Sequence, residues 1–441
     1  MKQTIARRVT LIVSGAALLA SNRSTHAAAE RFDVNGTASA SGVVAAGSYT
    51  WEAAGYSSTS AGTDPVPWVE GNFLRLAAGT DAGTKNYTIT ANSDHTFAGM
   101  FLQSGGGGTV TINGPGNLSI AAGQQGFLVN SASQTLMINA ALTGSGGVVN
   151  QLSGSLDLYG NNSYTGGTLL STSAGLNFNN NNSFGTGDIT WGVAQQVIAN
   201  DAASTALTLN NTVTTRAAST LIYVGPATAP VTFNNTWTLA AGTSTLTVGN
   251  ASHLSSKMSI TGQIVGAGGN LIVNGTSGTL TLSGANSYNG TTTLGGTTRL
   301  VLGAANTIAS SSSLIMGGGT LDPGGVNHTM SSTTLGLTAN SALDFSSGAT
   351  ELDFANSSAL TWTGVLNLAN WDASSDKLRL GTDTTGLTAG QLADIEFNGS
   401  GLGSAQLDAN GYVIMVPEPS VLSLAMLGGI ALVLKKRSRT N

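Results

Sequence analysis

The chain has 441 residues, among them 60 glycines and no cysteine, and only 8% of its residues are charged. An ordinary soluble domain carries about 25% charged residues and about 7% glycine. Because 41% of the residues are hydrophobic, we expect a buried core beneath a surface of Ser, Thr, Asn and Gly. The lack of cysteine excludes disulfides, thiol catalysis and thiolate-bound zinc.

Residues 30–419 carry eight basic and 21 acidic side chains. Their net charge of −13 without a basic patch argues against a nucleic-acid partner.

Residues 1–29 have the pattern of a secretory signal peptide. Lys2, Arg7 and Arg8 form a basic start, and residues 9–20 form a mainly apolar stretch that is too short for a membrane anchor. Small residues follow at Ala27, Ala28 and Ala29. We therefore predict an N-terminal signal helix, export, and cleavage by a signal peptidase before residue 30. Residues 30–100 contain Trp51, Trp68 and Phe73, and we predict that they form an N-terminal β cap.

A repeated segment lies in the middle of the chain. Residues 153–166 recur as residues 277–290, with nine of fourteen positions identical. In each copy a Leu-x-Leu pair predicts a strand with one apolar face. Gly160 and Gly284 follow, where we expect a corner with positive φ, and Asn162 and Asn286 are expected to bond the local backbone.

Further short strands are predicted on both sides of these copies, over residues 109–112, 207–209, 246–248, 271–273 and 300–302. Tyr164 and Tyr288 are expected to fold over the corners of the two repeats. Short strands with tight corners predict an all-β solenoid over residues 101–350, in which each coil packs on its neighbours. With about 20–25 residues per coil, residues 36–350 would form about 13–15 coils and a rod about 60–75 Å long.

Residues 142–169 and 264–294 resemble the autotransporter-associated β-strand repeat, because each ends in Asn-Ser-Tyr-x-Gly followed by Thr and Leu. This resemblance implies a right-handed parallel β-helix. Charged residues return in residues 351–416, which we predict to be a C-terminal cap. A short helix is expected over 386–395, with Thr388 as its N-cap.

The C-terminal segment 417–441 has three parts. Pro417-Glu418-Pro419 precedes 14 uncharged residues, 421–434, and Lys435, Lys436 and Arg437 follow them. A helix of that length rises about 21 Å, less than the ~30 Å hydrocarbon core, although lysines at its end can snorkel. The segment resembles the PEP-CTERM sorting signal of Gram-negative bacteria. The resemblance implies a short hydrophobic helix, transient anchoring in the inner membrane, recognition by an exosortase and delivery to the cell envelope, outer surface or extracellular matrix.

Candidate catalytic residues are few. Residues 202–321 contain no Asp or Glu, whereas glycoside hydrolysis needs two carboxylates about 5–10 Å apart. The best remaining set is Asp344, Glu351 and Asp353, of which the last two would share one strand face. These residues could form a Ca²⁺ site or an acid/base pair, but we favour a solvated cap strand. The Asp94-His95 pair would point to opposite faces of a strand, and neither His253 nor His328 has a neighbouring acid.

The sequence therefore predicts an exported, non-enzymatic structural or adhesive protein, without catalytic residues, bound metal or cofactor. Its expected partners are the signal peptidase, the exosortase, the membrane during export, and extracellular polysaccharide. The alternative is a carbohydrate-active β-helix enzyme, a polysaccharide lyase or glycosidase, with its site at residues 344–353 or near His95.

Overall fold

The computed structural model describes residues 27–416, apart from 54, 77, 79–84, 103–106, 124, 130, 172–174, 193–195, 201–202, 217, 310–312 and 403–404. The predicted signal helix and the predicted C-terminal hydrophobic helix lie outside these residues. No helix within the described part is long and apolar enough to cross a membrane.

The described chain consists almost entirely of short strands. The first part contains β1 (Ala29–Asp33), β2 (Gly47–Thr50), β3 (Gly55–Ser57), β4 (Pro65–Val66), β5 (Phe73–Arg75), β6 (Tyr87–Thr90), β7 (His95–Phe97), β8 (Gly99–Leu102), β9 (Gly108–Asn113), β10 (Leu118–Ile120), β11 (Gln125–Val129), β12 (Gln134–Ile138), β13 (Leu142–Gly144), β14 (Gly147–Leu152) and β15 (Ser155–Leu158). The middle part contains β16 (Thr168–Leu170), β17 (Leu176–Phe178), β18 (Ile189–Trp191), β19 (Gln196–Ala199), β20 (Leu207–Leu209), β21 (Val213–Thr215), β22 (Ser219–Val224), β23 (Val231–Phe233), β24 (Trp237–Thr238), β25 (Gly242–Val248), β26 (Lys257–Ile260), β27 (Ile264–Val265), β28 (Gly269–Asn274), β29 (Thr279–Leu282) and β30 (Thr292–Gly295). The last part contains β31 (Arg299–Leu302), β32 (Leu314–Gly317), β33 (Thr320–Asp322), β34 (His328–Met330), β35 (Leu335–Ala339), β36 (Ser341–Asp344), β37 (Glu351–Phe354), β38 (Leu366–Ala369), β39 (Lys377–Leu380), α1 (Ala389–Ala393), β40 (Ile395–Phe397), β41 (Ser400–Leu402), β42 (Ala405–Leu407) and β43 (Val413–Met415).

Three long sheets run along the molecule. Sheet I has 13 strands in the order β2-β6-β9-β12-β15-β17-β19-β22-β25-β28-β30-β32-β35. Sheet II has 12 strands, β27-β24-β21-β18-β16-β14-β11-β8-β5-β1-β3-β4, and sheet III has ten, β20-β23-β26-β29-β31-β33-β36-β38-β40-β41. Smaller sheets are formed by β13-β10-β7, by β34-β37-β39 and by β42-β43. Since strands far apart in sequence are neighbours in each sheet, the chain winds as a β-solenoid, which confirms the predicted fold class.

The coils are about 12 in number, close to the 13–15 predicted over residues 36–350. In sheet I, paired positions are usually 20–27 residues apart, from Leu136 with Leu156 to Leu246 with Val273. At about 4.8 Å per coil, the rod is about 60 Å long. Most strands alternate buried and outward residues, as β29 does with Leu280 and Leu282 buried, so the Leu, Ile and Val side chains form one continuous core. The five predicted strand segments are all confirmed.

Both repeat copies form the same corner, but two expectations about it are wrong. Gly160 and Gly284 do not have positive φ. Instead, a Cβ atom at either position would lie 2.2 Å from a backbone oxygen of the preceding coil, so glycine is needed for close packing. Asn162 bonds neighbouring coils rather than the local backbone: Oδ1 accepts from Leu142 N–H at 2.8 Å, and Nδ2 donates to Ser183 O at 2.7 Å. Asn286 likewise joins Ile264 and Thr307.

The two tyrosines of the repeat fill the inside of the corner. Tyr164 and Tyr288 are fully buried, and each hydroxyl lies 2.6–2.7 Å from the hydroxyl of the threonine four residues later, Thr168 or Thr292. Burial raises the pKa of Tyr288 to about 12, so both tyrosines stay neutral at physiological pH.

Antiparallel strands lie at the two ends of the rod. At the start, β3 pairs antiparallel with β1, and β4 with β3. At the other end, the parallel pairing continues past residue 350, since Leu343 pairs with Leu368 and Leu368 with Phe397, before β41 pairs antiparallel with β40. Such strands cover edges that would otherwise pair with another chain. Thr388 is the N-cap of α1 as predicted, although the helix is shorter than expected.

Candidate functional site

The predicted carboxylate set is divided between two clusters. Asp344 lies in sheet III, where Arg299 bridges it to Asp322 of the preceding coil, with N–O distances of 2.5 and 2.6 Å. Burial by itself would raise the pKa of Asp344, but hydrogen bonds from Arg299, Asn370 and Ser346 outweigh this effect and lower the pKa to about 2. One guanidinium thus compensates two carboxylates in adjacent coils, which would otherwise repel each other.

Glu351 and Asp353 share the outer face of β37, as predicted, and both contact residues of the C-terminal end of the rod. Arg379 of the next coil donates to both oxygens of Asp353, at 2.8 and 2.5 Å. Glu351 accepts a 2.6 Å hydrogen bond from the hydroxyl of Tyr412. The ring of Tyr412 also lies 5.6 Å from the guanidinium of Arg379 and 5.8 Å from Nζ of Lys377. These contacts hold the β42–β43 hairpin against β39.

The structure therefore does not place Asp344 in one cluster with Glu351 and Asp353. Each carboxylate accepts hydrogen bonds from a partner at least 26 residues away in sequence, and each bond joins one coil or cap to another. In the described part of the chain, no group of three or more His, Asp and Glu residues is arranged to hold a metal ion.

His95 belongs to a different cluster from its neighbour Asp94. Its Nδ1 lies 2.7 Å from Glu70 Oε1, its Nε2 lies 3.1 Å from Glu52 Oε1, and its ring stacks on Trp51 at 5.0 Å. Asp94 instead accepts hydrogen bonds from Asn117 of the next coil. Because the two glutamates occupy opposite sides of the imidazole, they cannot bind one metal ion together with it. The arrangement ties three successive segments of the N-terminal region together.

The other two histidines among the described residues, His253 and His328, also have structural contacts. His253 Nδ1 lies 3.2 Å from Asn250 Oδ1. His328 points into the core, where Nδ1 accepts from Asn306 N–H at 3.1 Å and Nε2 lies 2.9 Å from Pro323 O. Burial lowers the pKa of His328, in agreement with a neutral ring that donates through Nε2 and accepts through Nδ1.

The predicted processing residues lie at or beyond the ends of the described chain. Ala29 begins β1, and Ala28 makes two contacts: its N–H donates to Asn72 Oδ1 at 3.0 Å and its carbonyl accepts from Phe73 N–H at 2.8 Å. Ala27 precedes them. The sorting motif Pro417, Glu418, Pro419 and the flanking residues Lys435, Lys436, Arg437 are outside the described residues.

A polar surface that was not predicted from the sequence lies at the corner between sheets III and II. Residues 207–214 (LTLNNTVT) and 231–238 (VTFNNTWT) share the pattern x-Thr-x-Asn-Asn-Thr-x-Thr, 24 residues apart. Their apolar positions are buried in the core. The third coil continues three of the four outward positions with uncharged polar residues, and Val265 occupies the fourth. We call these outward side chains the corner grid: Thr208, Asn210, Thr212 and Thr214; Thr232, Asn234, Thr236 and Thr238; Ser259, Thr261 and Gln263.

The rows of the corner grid are in register. Thr208 is paired with Thr232, and Thr232 with Ser259, while Thr214 is paired with Thr238 on the other side of the corner. None of the eleven side chains is ionisable. Charged residues lie at the borders of the grid: Thr212 donates to Asp188, and Arg216 and Lys257 are two residues from Thr214 and Ser259.

The interior behind the grid is packed. The cavity there has a volume of about 10 Å³ and only apolar side chains around it, including Trp191 and Trp237. Such a space holds at most about one water molecule. A ligand of this region would therefore bind on the outside of the rod.

Comparison with known proteins gives no relative. No family model matches the chain, and no curated protein or solved structure matches it significantly. The two family resemblances of the sequence therefore stay predictions.

Proposed function

We propose that this protein is an exported, non-enzymatic β-solenoid rod with a structural or adhesive role at the cell surface or in the extracellular matrix. The observation that supports this proposal most directly is that the charged side chains join one coil or cap to another. The candidate catalytic carboxylates Asp344, Asp353 and Glu351 accept hydrogen bonds from Arg299, Arg379 and Tyr412 of other coils or of the β42–β43 hairpin. A general acid or base must instead reach the substrate, so these contacts support a structural role for the carboxylates.

The geometry of the rod also supports a structural role. About 12 coils are joined by continuous parallel pairing, with one apolar core along their length. In such a solenoid each coil is stabilised by its neighbours, so the molecule is long, stiff and rich in surface relative to its mass.

Export and sorting enter this proposal from the ends of the sequence. The basic and apolar start with Ala27–Ala29 favours cleavage by a signal peptidase. The Pro417-Glu418-Pro419 motif, the apolar segment and the basic residues that follow resemble a PEP-CTERM signal. We infer that the tail holds the protein in the inner membrane until an exosortase processes it and the rod reaches the outer surface or the matrix, where it meets polysaccharide.

Localisation of the full chain and of a variant lacking residues 417–441 tests this proposal. The full chain should reach the cell surface or matrix, start near residue 30 in mass spectrometry and lack the basic tail. The shortened variant should fail to reach the same fraction. Recovery of residues 435–441 in the surface-delivered protein, or equal delivery of both chains, would contradict the sorting mechanism.

Enzyme assays test the non-enzymatic part of the proposal. The full chain, incubated with acidic and neutral polysaccharides, should release no product. If product is released and the Glu351→Gln/Asp353→Asn variant loses that activity while it stays folded, the protein is an enzyme and the proposal is wrong.

A further inference from the structure

The corner grid presents hydroxyl groups that face outward from the rod. The hydroxyls of Thr208, Thr232 and Ser259 on sheet III, and of Thr214 and Thr238 on sheet II, make no hydrogen bond within the described part of the chain. They are outward on strands whose alternate residues are buried. Each hydroxyl can donate one hydrogen bond and accept others. The grid therefore offers one row of outward hydroxyl donors and acceptors on each side of the corner, and we call these the open rows.

Between these rows runs a line of polar side chains that is held in place. Asn234 Nδ2 donates to Asn210 Oδ1 at 3.3 Å, and Thr261 Oγ1 donates to Asn234 Oδ1 at 2.9 Å. Asn235 supports the line from the side, since its Nδ2 donates to the Asn210 carbonyl at 2.8 Å. Side chains fixed before binding lose less conformational entropy when a ligand arrives.

The charge distribution restricts the kind of occupant. None of the grid side chains is charged, and the charged residues at its borders have both signs: Asp188 contacts Thr212, while Arg216 and Lys257 are two residues from Thr214 and Ser259. A polyanion is held by basic side chains that contact it directly, and the grid has none. A second copy of the chain is disfavoured because the centres of protein interfaces are apolar and aromatic, and the grid has neither kind of side chain. Hydroxyl and amide groups instead match a partner that is itself uncharged and rich in hydroxyls.

The spacing of the grid favours a linear polymer. Successive coils repeat the same groups every ~4.8 Å along the rod, so a chain of similar units can make similar contacts at each coil. We propose that the corner grid binds an uncharged polysaccharide laid along the rod axis. Each of the three coils contributes one hydroxyl from sheet III and one group from the central line. The first two coils also contribute a hydroxyl from sheet II, whereas Val265 occupies that position in the third coil. This inference rests on the proposed function, in which the rod meets polysaccharide outside the cell.

Co-sedimentation of the full-length chain with insoluble polymers tests the inference. The probes are microcrystalline cellulose and cross-linked dextran, which are uncharged, and calcium alginate, which is acidic. The grid variant is Thr208→Ala/Thr232→Ala/Ser259→Ala. Its matched control changes three outward threonines of sheet I, Thr220→Ala/Thr245→Ala/Thr293→Ala, which lie on a different face. Circular dichroism and thermal unfolding confirm that both variants are folded.

We expect the unchanged chain to bind at least one uncharged polymer, the grid variant to bind it at least tenfold more weakly, and the control to bind it normally. Equal binding by grid variant and control, binding to alginate alone, or binding to no polymer would overturn the inference. So would a grid variant that loses only self-association in gel filtration. Failure here leaves surface delivery intact, whereas failure of sorting leaves polymer binding by the purified chain intact, so the two proposals fail separately.

Discussion

Replacing Asn162 by alanine should destabilise the rod by about 2–6 kcal/mol. The residue is 3% exposed, and its amide accepts from the Leu142 N–H and donates to the Ser183 carbonyl. Alanine removes both bonds and leaves a buried donor and a buried acceptor without partners. Each unpaired group costs about 1–3 kcal/mol, which gives the stated range.

Asn161 provides a matched control, because it is the adjacent residue of the same type on the exposed side of the corner. Its Oδ1 accepts from Asn182 Nδ2 at 2.8 Å in contact with solvent, and water can replace that bond. We expect Asn161→Ala to cost less than about 1 kcal/mol.

Urea unfolding measures the total effect, and hydrogen exchange at the Leu142 amide measures it locally. Because solenoids can unfold in parts, the local measurement is the more direct. Exchange at Leu142 should accelerate in Asn162→Ala and stay unchanged in Asn161→Ala. If the two variants have the same unfolding free energy and the same exchange rate, the corner amide does not join the coils and this explanation is refuted.

Three other perturbations follow from the charged and buried groups. Arg379→Ala should lower the free energy of unfolding in urea by about 2 kcal/mol, because Asp353 loses its bidentate partner at a half-buried site. Lys377→Ala on the same strand should lower it by less than about 1 kcal/mol. Equal losses in the two variants would show that the ion pair contributes nothing to stability. The pKa of His328 is lowered in the folded chain, so the unfolded chain binds the proton of this side chain more readily. The contribution of His328 to stability should therefore be complete above pH 6.5 and should fall as the pH drops below that value. His328→Gln should remove this part of the pH dependence of unfolding, and an unchanged dependence would exclude His328 as its origin. The pKa of Asp344 is lowered to about 2 from 3.8. Its contribution to stability should therefore be present above about pH 4 and lost as the pH falls towards 2. Asp344→Asn should flatten the dependence of unfolding free energy on pH in that window but not near pH 6.

The inward face of the rod could be predicted because it depends only on local alternation. Leu156 and Leu158, or Leu280 and Leu282, have to share a side of an extended chain, and the structure buries all four. The role of Asn162 could not be predicted in the same way. Its partners are 20 and 21 residues away, and the coil length varies, so the sequence does not determine which groups lie above and below it.

The same limit applies to the carboxylates. That Glu351 and Asp353 lie on one face follows from their spacing, but their partners Arg379 and Tyr412 depend on the register of the next coil and on the position of the final hairpin. For Gly160, the sequence indicated a corner correctly and its physical reason wrongly, because close packing between coils is not visible in local backbone preferences.

The corner grid could have been found from the sequence. The pattern x-Thr-x-Asn-Asn-Thr-x-Thr occurs twice at a spacing of one coil, which is the signal of a repeated outward surface. A comparison based on the Leu-x-Leu and Asn-Ser-Tyr repeat alone overlooks it, because residues 207–214 and 231–238 lie between the two copies of that repeat.

The central claim is that the chain is stacked coil on coil into one rod, and distances along that rod test it most directly. Because the chain has no cysteine, spin labels can be attached to introduced pairs without background. Thr109→Cys with Thr247→Cys spans six strand steps of sheet I at paired positions, and Thr109→Cys with Asn274→Cys spans seven. Electron–electron double resonance should give mean separations of about 29 and 34 Å, an increase of ~4.8 Å per coil. Equal distances for the two pairs, or a shorter one for the second, would contradict the solenoid.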